Sequence, residues 1–166
     1  MRAGIALGSN LGDRLRNLKT ARQRVEHLAG VEPPLLASSV YETEPVEMDP
    51  DAGMFLNAVI EIGYSGAGDG LLRQLQEIEH ALGRPALHSS TAPRTLDLDL
   101  LYLGELVLSL PQLELPHPRL CERRFVLEPL AEIRPDLVLP WRTENVAALL
   151  HRLGETRGLV RAEAQW

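Results

Sequence analysis

Pro93-Arg94-Thr95-Leu96-Asp97-Leu98-Asp99-Leu100-Leu101 reads as a strand that carries two carboxylates on one face and three leucines on the other. Side chains at i and i+2 of a strand share a face, with Cα atoms about 6.5 Å apart. Asp97 and Asp99 therefore reach one divalent ion, or a pair of ions about 3.5–4 Å apart. Leu96, Leu98 and Leu100 anchor the opposite face. Leu101 and Leu103 are expected to continue the aspartate face, which turns apolar as the strand runs inward. That places the aspartates at the mouth of the sheet.

Taken alone, an Asp-x-Asp describes a half-exposed strand with its polar face in water. Aspartate is disfavoured in strands, however, and two on one face repel each other unless a cation or a base lies between them. Something should compensate this pair.

Working outward, residues 3–8 form a short apolar strand, and the turn from Gly8 to Asp13 caps a helix with Leu15, Leu18, Ala21, Val25 and Leu28 at helical spacing. Pro33-Pro34 breaks the chain before a strand over 36–41. Residues 44–53 are acidic, proline-bearing and aperiodic, so they read as a loop. From 55 to 64 the pattern alternates, with Phe55, Asn57, Val59 and Glu61 on one face and Leu56, Ala58, Ile60 and Ile62 on the other. A turn over 63–70 precedes a helix over 71–82 that ends at Gly83. Beyond the aspartate strand, Pro111, Pro116 and Pro118 make an extended section, and helices are expected within 119–133 and over 145–153. Strand, helix, two strands, helix, strand is the order of an α+β, ferredoxin-like βαββαβ sandwich with C-terminal additions.

At 166 residues and 45% hydrophobic content, the chain suits a single domain over 1–166 with a real core. The net charge of −6 gives no basic footprint for nucleic acid, so a small-molecule partner fits better. Cys121 is the only cysteine, which excludes an internal disulfide and a cysteine-based zinc site. No stretch approaches the ~20 apolar residues of a membrane span, and the N-terminal run is too short for a signal peptide. A cytoplasmic monomer is expected, with no nucleic-acid or membrane partner.

If this protein handles phosphates, it must do so with arginine and metal ions. Lys19 is the one lysine, and it lacks the Gly-x-x-x-x-Gly-Lys-Ser/Thr neighbours of a phosphate loop. The glycines at 66, 68 and 70 miss the dinucleotide spacing, because position 71 is Leu. From His80 to Leu96 there is no acid, while Arg84, His88 and Arg94 occur. Arg84 and Arg94 beside two carboxylates read either as simple salt bridges or, with metal on the carboxylates, as free to grip phosphate oxygens in bidentate fashion. The latter is the division of labour phosphoryl transfer requires. Phe55 and Phe125, the only phenylalanines, are candidate stacking platforms, though a lone aromatic is more often core. His117 between two prolines is by itself weak ground for a base, ligand or nucleotide contact.

Together these motifs resemble the hydroxymethyldihydropterin pyrophosphokinases of folate biosynthesis. The resemblance runs through Ala6 to Gly12, Tyr41 to Pro45, Phe55 to Ala58, Glu79 to Arg84, Pro93 to Leu101, Pro116-His117 and Arg123 to Leu130. The Pro-Arg-Thr-Leu-Asp-Leu-Asp element is the most specific. It implies transfer of the pyrophosphoryl group of ATP to the hydroxymethyl group of a reduced pterin, releasing AMP. It also implies roles: Asp97 and Asp99 ligate two magnesium ions, and Arg84 and Arg94 stabilise the transferring group. Phe55 and Phe125 sandwich the pterin, while Asn57 and the backbone around Thr43 and Val46 read its edge. Gln76, Glu79, His117 and Arg123 hold the nucleotide, with Leu72 and Leu100 against adenine. The loops at 44–53 and 84–93 would then close over both substrates. The chain departs from the family pattern at Thr91-Ala92, Pro85 to Leu87, Pro118 and Arg124. Two rival readings are another two-metal Asp-x-Asp nucleotide-dependent transferase, such as a glycosyltransferase, and a non-catalytic ferredoxin-like ligand-binding module.

Overall fold

The computed structural model describes residues 1–44, 53–83, 94–154 and 158–166. Arg84, Val46, the departures at 85–87 and 91–92 and most of the two loops expected over 44–53 and 84–93 lie outside the described residues.

Strand β1 (Arg2–Ser9) leads into α1 (Arg14–Glu26). Asp13 caps the helix by accepting a hydrogen bond from the Arg16 amide, one of the donors a first turn leaves unmet. Two strands, β2 (Val31–Ala37) and β3 (Val40–Thr43), replace the single strand expected over 36–41. Pro33-Pro34 lies inside β2 rather than before it. The register of β2 on β4 (Phe55–Tyr64) shifts between Glu32 and Leu36, so the two residues without N–H groups are carried past the ladder. Ser38 makes the corner between β2 and β3: its hydroxyl accepts the Val59 amide, and its own amide donates to the Val59 carbonyl.

Helix α2 (Gly68–Ala81) starts three residues before its expected beginning. The Leu71 amide bonds the Ala67 carbonyl, and Asp69 complements the helix dipole, so Gly68-Asp69-Gly70 is first turn rather than loop. Then follow β5 (Asp97–Leu103), a hairpin of β6 (Leu108–Leu110) and β7 (Leu113–Leu115), α3 (Arg124–Ile133), α4 (Val146–Arg152) and β8 (Leu159–Glu163). The last strand has no counterpart in the sequence reading.

The main sheet is antiparallel at every pairing and runs β5-β1-β4-β3-β8, with β2 also on β4. One face packs against α1 and α2 through Leu18, Val25, Leu71 and Leu75, facing Ile5, Leu7, Ile60 and Leu98. The other packs against α3 and α4 through Val126, Leu130 and Leu149, facing Val59 and Leu101. Each such leucine or valine contributes about 1.5–3 kcal/mol by leaving water. The C-terminal third thus supplies a second helical layer.

A bulge in β5 corrects the expected face of Leu103. Ile5 pairs with Leu100 but Gly4 pairs with Tyr102, leaving Leu101 as the extra residue. Leu101 and Tyr102 both join the α3–α4 side, and Leu103 returns to the α1–α2 side with Leu98 and Leu100. Tyr102 then lies over Gly4, where an added Cβ would stand 2.2 Å from its ring.

The Tyr102 hydroxyl donates to Glu61, which is fully buried on β4, at 2.6 Å. Arg2 and Arg134 complete the cluster with hydrogen bonds of 2.8 Å and 2.6 Å to the same carboxylate. Burial alone would raise the Glu61 carboxyl, but these hydrogen bonds outweigh it and hold the group below its ordinary value. A second acid, Glu132 on α3, accepts from Ser39, Tyr41 and Arg161, tying the helix to β3 and β8. At the far edge, the Trp166 indole donates to the Ser38 carbonyl and Arg22 lies over its ring.

Candidate active site

Asp97 pairs with Gly8 and Asp99 with Ala6, so both carboxylates stand on the α3–α4 face as the alternation requires. Each has an arginine. Arg94 Nη1 donates to Asp97 Oδ2 at 2.8 Å, and Arg123 Nη1 approaches Asp99 Oδ2 at 3.4 Å. Partial burial and then the charge of Asp97 push the Asp99 carboxyl above the usual range. The pair therefore favours a cation beyond what its arginines supply.

No group of three or more His, Cys, Asp or Glu residues is placed to hold a metal among the described residues. Two carboxylates suit a hard divalent ion that takes its remaining oxygens from water and substrate phosphates, as magnesium does. The donor set fits such an ion and does not fit a closed structural metal site.

His117 reaches this group through the bulge. Its amide donates to the Leu101 carbonyl at 2.8 Å, two residues beyond Asp99. Nδ1 accepts from the Arg119 amide at 3.2 Å, which leaves Nε2 to carry the proton of the neutral ring. Burial, opposed by Asp99, lowers the imidazole below its ordinary value. Glu79, buried on α2, accepts the Leu98 amide at 2.7 Å and so fixes the edge strand between the two aspartates.

A second group sits beside the aspartates on the same face. Asn57 Nδ2 donates to Thr43 Oγ1 at 2.7 Å, which aims Oδ1 over Gly8. A Cβ on Gly8 would lie 3.2 Å from Asn57 Oδ1, 3.8 Å from Asp97 Cβ and 3.9 Å from Phe55 Cδ1. The glycine is therefore the floor on which these three side chains converge. Phe125 lies in the first turn of α3, half-buried, with the Arg123 guanidinium 5.5 Å from its ring centre. Arg123 thereby links that ring to Asp99.

The remaining candidates are spread along α2 and β5. Leu72 is half-buried against the core and Gln76 is exposed. Leu100 is only 3% exposed, sealed in the core with α2.

Sequence reasoning gave no individual role to Gly8, Ser9, Asn10 or Asn17. The Asn10 side-chain oxygen accepts the Arg94 amide at 2.7 Å, and the Asn10 amide donates to the Arg94 carbonyl at 3.2 Å. Ser9 Oγ and Asn17 Nδ2 both donate to the Thr95 carbonyl, at 2.6 Å and 3.1 Å. The Gly-Ser-Asn run was the available signal, but as a local pattern it specifies only a turn.

A profile of the 7,8-dihydro-6-hydroxymethylpterin-pyrophosphokinase family matches residues 4–135. The 2-amino-4-hydroxy-6-hydroxymethyldihydropteridine pyrophosphokinase of Bacillus subtilis is 45% identical over 131 residues, covering 79% of this chain and 77% of that protein. Its namesake in Pseudomonas aeruginosa is 41% identical over 140 residues, covering 84% of each. The folic acid synthesis protein fol1 of Pneumocystis carinii is 36% identical over 149 residues, and the chain spans only 20% of that longer protein. Among solved structures, wild-type Plasmodium falciparum HPPK-DHPS with pteroate superposes with a TM-score of 0.71 over 91% of this chain and 42% of that one. At 12% identity, that likeness concerns the fold alone. On the match over residues 4–135 and the two bacterial relatives, the chain belongs to the 7,8-dihydro-6-hydroxymethylpterin-pyrophosphokinase family.

Proposed function

We propose that this chain transfers the β,γ-pyrophosphoryl group of ATP to the hydroxymethyl oxygen of 6-hydroxymethyl-7,8-dihydropterin, releasing AMP, as a step of folate biosynthesis. One observation carries the reading: two arginine-paired carboxylates share a sheet face with the Gly8 floor and the aimed amide of Asn57. Substrate alcohol is the nucleophile. Its oxygen bonds the β-phosphorus and releases its proton to solvent as the bond from that phosphorus to the α,β-bridging oxygen breaks, and AMP departs with the bridging oxygen. Two magnesium ions on Asp97 and Asp99, when bound, supply the positive charge that offsets what builds on these oxygens.

The side chains do the rest. Arg94, with Arg84 from outside the described residues, grips oxygens of the transferring group once the carboxylates have other partners. Asn57 Oδ1 accepts an N–H from the pterin edge, with Thr43 holding one of the two Nδ2 hydrogens and so the orientation of the amide. The backbone around Thr43 and Val46 reads the rest of that edge, and Phe55 and Phe125 flank the ring. Gln76, Glu79, His117 and Arg123 hold the nucleotide, with Leu72 on the adenine side and Leu100, almost fully buried, backing that side from the core. We also read the strand order as the ferredoxin-like arrangement extended by β8, within a single domain over 1–166 acting as a cytoplasmic monomer. AMP release from ATP and magnesium is the test: it is expected only when the reduced pterin alcohol is present. ADP in its place, or AMP formation indifferent to the pterin, overturns the reading.

A further inference from the structure

The backbone just before Asp97 is held mainly by side chains, with one backbone bond from Asn10, beyond the paired part of the sheet. The β1–β5 ladder ends at the pair Gly8 and Asp97, so the positions of Arg94 and Thr95 are not set by it. Asn10 takes both backbone groups of Arg94, and Ser9 and Asn17 take the Thr95 carbonyl. Asn17 also bonds Ser9 Oγ and the Leu11 carbonyl, which fastens the arrangement to α1. A long guanidinium side chain magnifies any movement of its own backbone. The orientation of Arg94 toward Asp97 thus depends on Asn10, 84 positions earlier in the chain, and on Ser9 and Asn17.

Asn10 has a second peculiarity. It is only 8% exposed, yet its Nδ2 is buried without a hydrogen-bond partner among the described residues. Leaving a buried donor unmet is unfavourable, and a residue serving the fold alone has no use for it. Gly8, two residues earlier, lies beneath the converging side chains of Asn57, Asp97 and Phe55, so Asn10 follows directly on the chain segment that underlies the site.

We propose that Asn10 is a positioning residue for the transfer. Its carboxamide oxygen and backbone N–H fix Arg94 so that the guanidinium meets the transferring phosphoryl oxygens, and its Nδ2 awaits an acceptor brought by the substrates. The proposal rests on the pyrophosphoryl-transfer reading. A wild-type enzyme that forms no pterin-dependent AMP fails that reading before any Asn10 variant is compared.

A double-mutant cycle with Arg94→Ala tests it, using AMP formation under single-turnover conditions. Asn10→Ala is expected to lower the rate about 10–100-fold in the wild-type background, with substrate KM values in steady state changed less than about threefold. In the Arg94→Ala background the same change should cost less than about threefold, since there is no guanidinium left to place. Asn10→Leu, of the same shape, repeats the cycle should the alanine variant melt below the assay temperature. Asn10→Asp keeps the oxygen that accepts the Arg94 amide and should recover part of the loss. An equal loss with and without Arg94 overturns the proposal, as does an Asn10→Leu enzyme as fast as wild type.

Discussion

Asp97 and Asp99 respond differently to losing their charge, because Arg94 bonds the first at 2.8 Å while Asp99 has the longer 3.4 Å contact to Arg123. Asp99→Asn is expected to abolish turnover, a loss of at least about 100-fold, while the thermal midpoint measured without metal stays level or rises. Asp97→Asn should lose turnover equally but lower the midpoint by a few degrees, roughly the worth of one charged hydrogen bond. The pH dependence has a definite sign. A carboxyl raised in the fold contributes stability that is complete below the ordinary aspartate range and is lost as pH rises through the elevated value. Wild type should therefore fall behind Asp99→Asn as pH increases, and denaturant melts at several pH values measure this. Phe125→Ala should raise the pterin KM about 10–100-fold and the ATP KM far less. An equal rise in both would make Phe125 a packing residue of α3. The aspartate pair was legible because alternation is local, whereas Asn10 was not, since its partner lies 84 residues away and a turn pattern says nothing of it.

Among the elements, β5 carries the most consequence for its length. The bulge at Leu101 turns Tyr102 toward Glu61 and presents the Leu101 carbonyl to His117. Gly4 makes this possible by leaving room for the ring. Gly4→Ala is expected to destabilise the protein by about 1–3 kcal/mol in denaturant melts, through displacement of the Tyr102 side chain. A neutral result would mean that the ring moves aside without losing its bond to Glu61. The sequence could not announce the bulge, because it arises from the mismatch between two strands about a hundred residues apart. Period-two reading of β5 alone therefore put Leu103 on the wrong face. The same limit merged β2 with β3, whose separation depends on Ser38 meeting Val59 across the sheet.

For the molecule as a whole, the layer added after β5 makes the candidate site two-walled. The sheet supplies Asp97, Asp99, Phe55 and Asn57, and the start of α3 supplies Arg123 and Phe125. Glu61 and Glu132 hold that layer down, each engaging a tyrosine. Burial, reinforced by Glu132, pushes Tyr41 up to about 12, and burial with Glu61 raises Tyr102 further. Raised phenols stabilise the fold fully below the ordinary tyrosine range, and for Tyr41 that contribution is lost as pH rises through about 12. Absorbance of tyrosinate at alkaline pH should therefore show Tyr41 and Tyr102 ionising late, together with loss of the fold. Early ionisation of these two would mean the acid–phenol contacts are absent in solution. The first strand–helix–strand half was legible from period and punctuation. The C-terminal third was less so, because its elements are short and their apolar positions make sense only against a sheet face built elsewhere.

The Trp166 indole, bonded to the Ser38 carbonyl beneath Arg22, makes the edge of the sheet optically readable. The only other tryptophan, Trp141, is 87% exposed, so an added quencher such as iodide extinguishes it first and leaves Trp166 as the residual emitter. Neither indole belongs to the candidate site. Intrinsic fluorescence of this protein is thus a gauge of whether its last segment stays docked, and substrate occupancy must be followed by another signal.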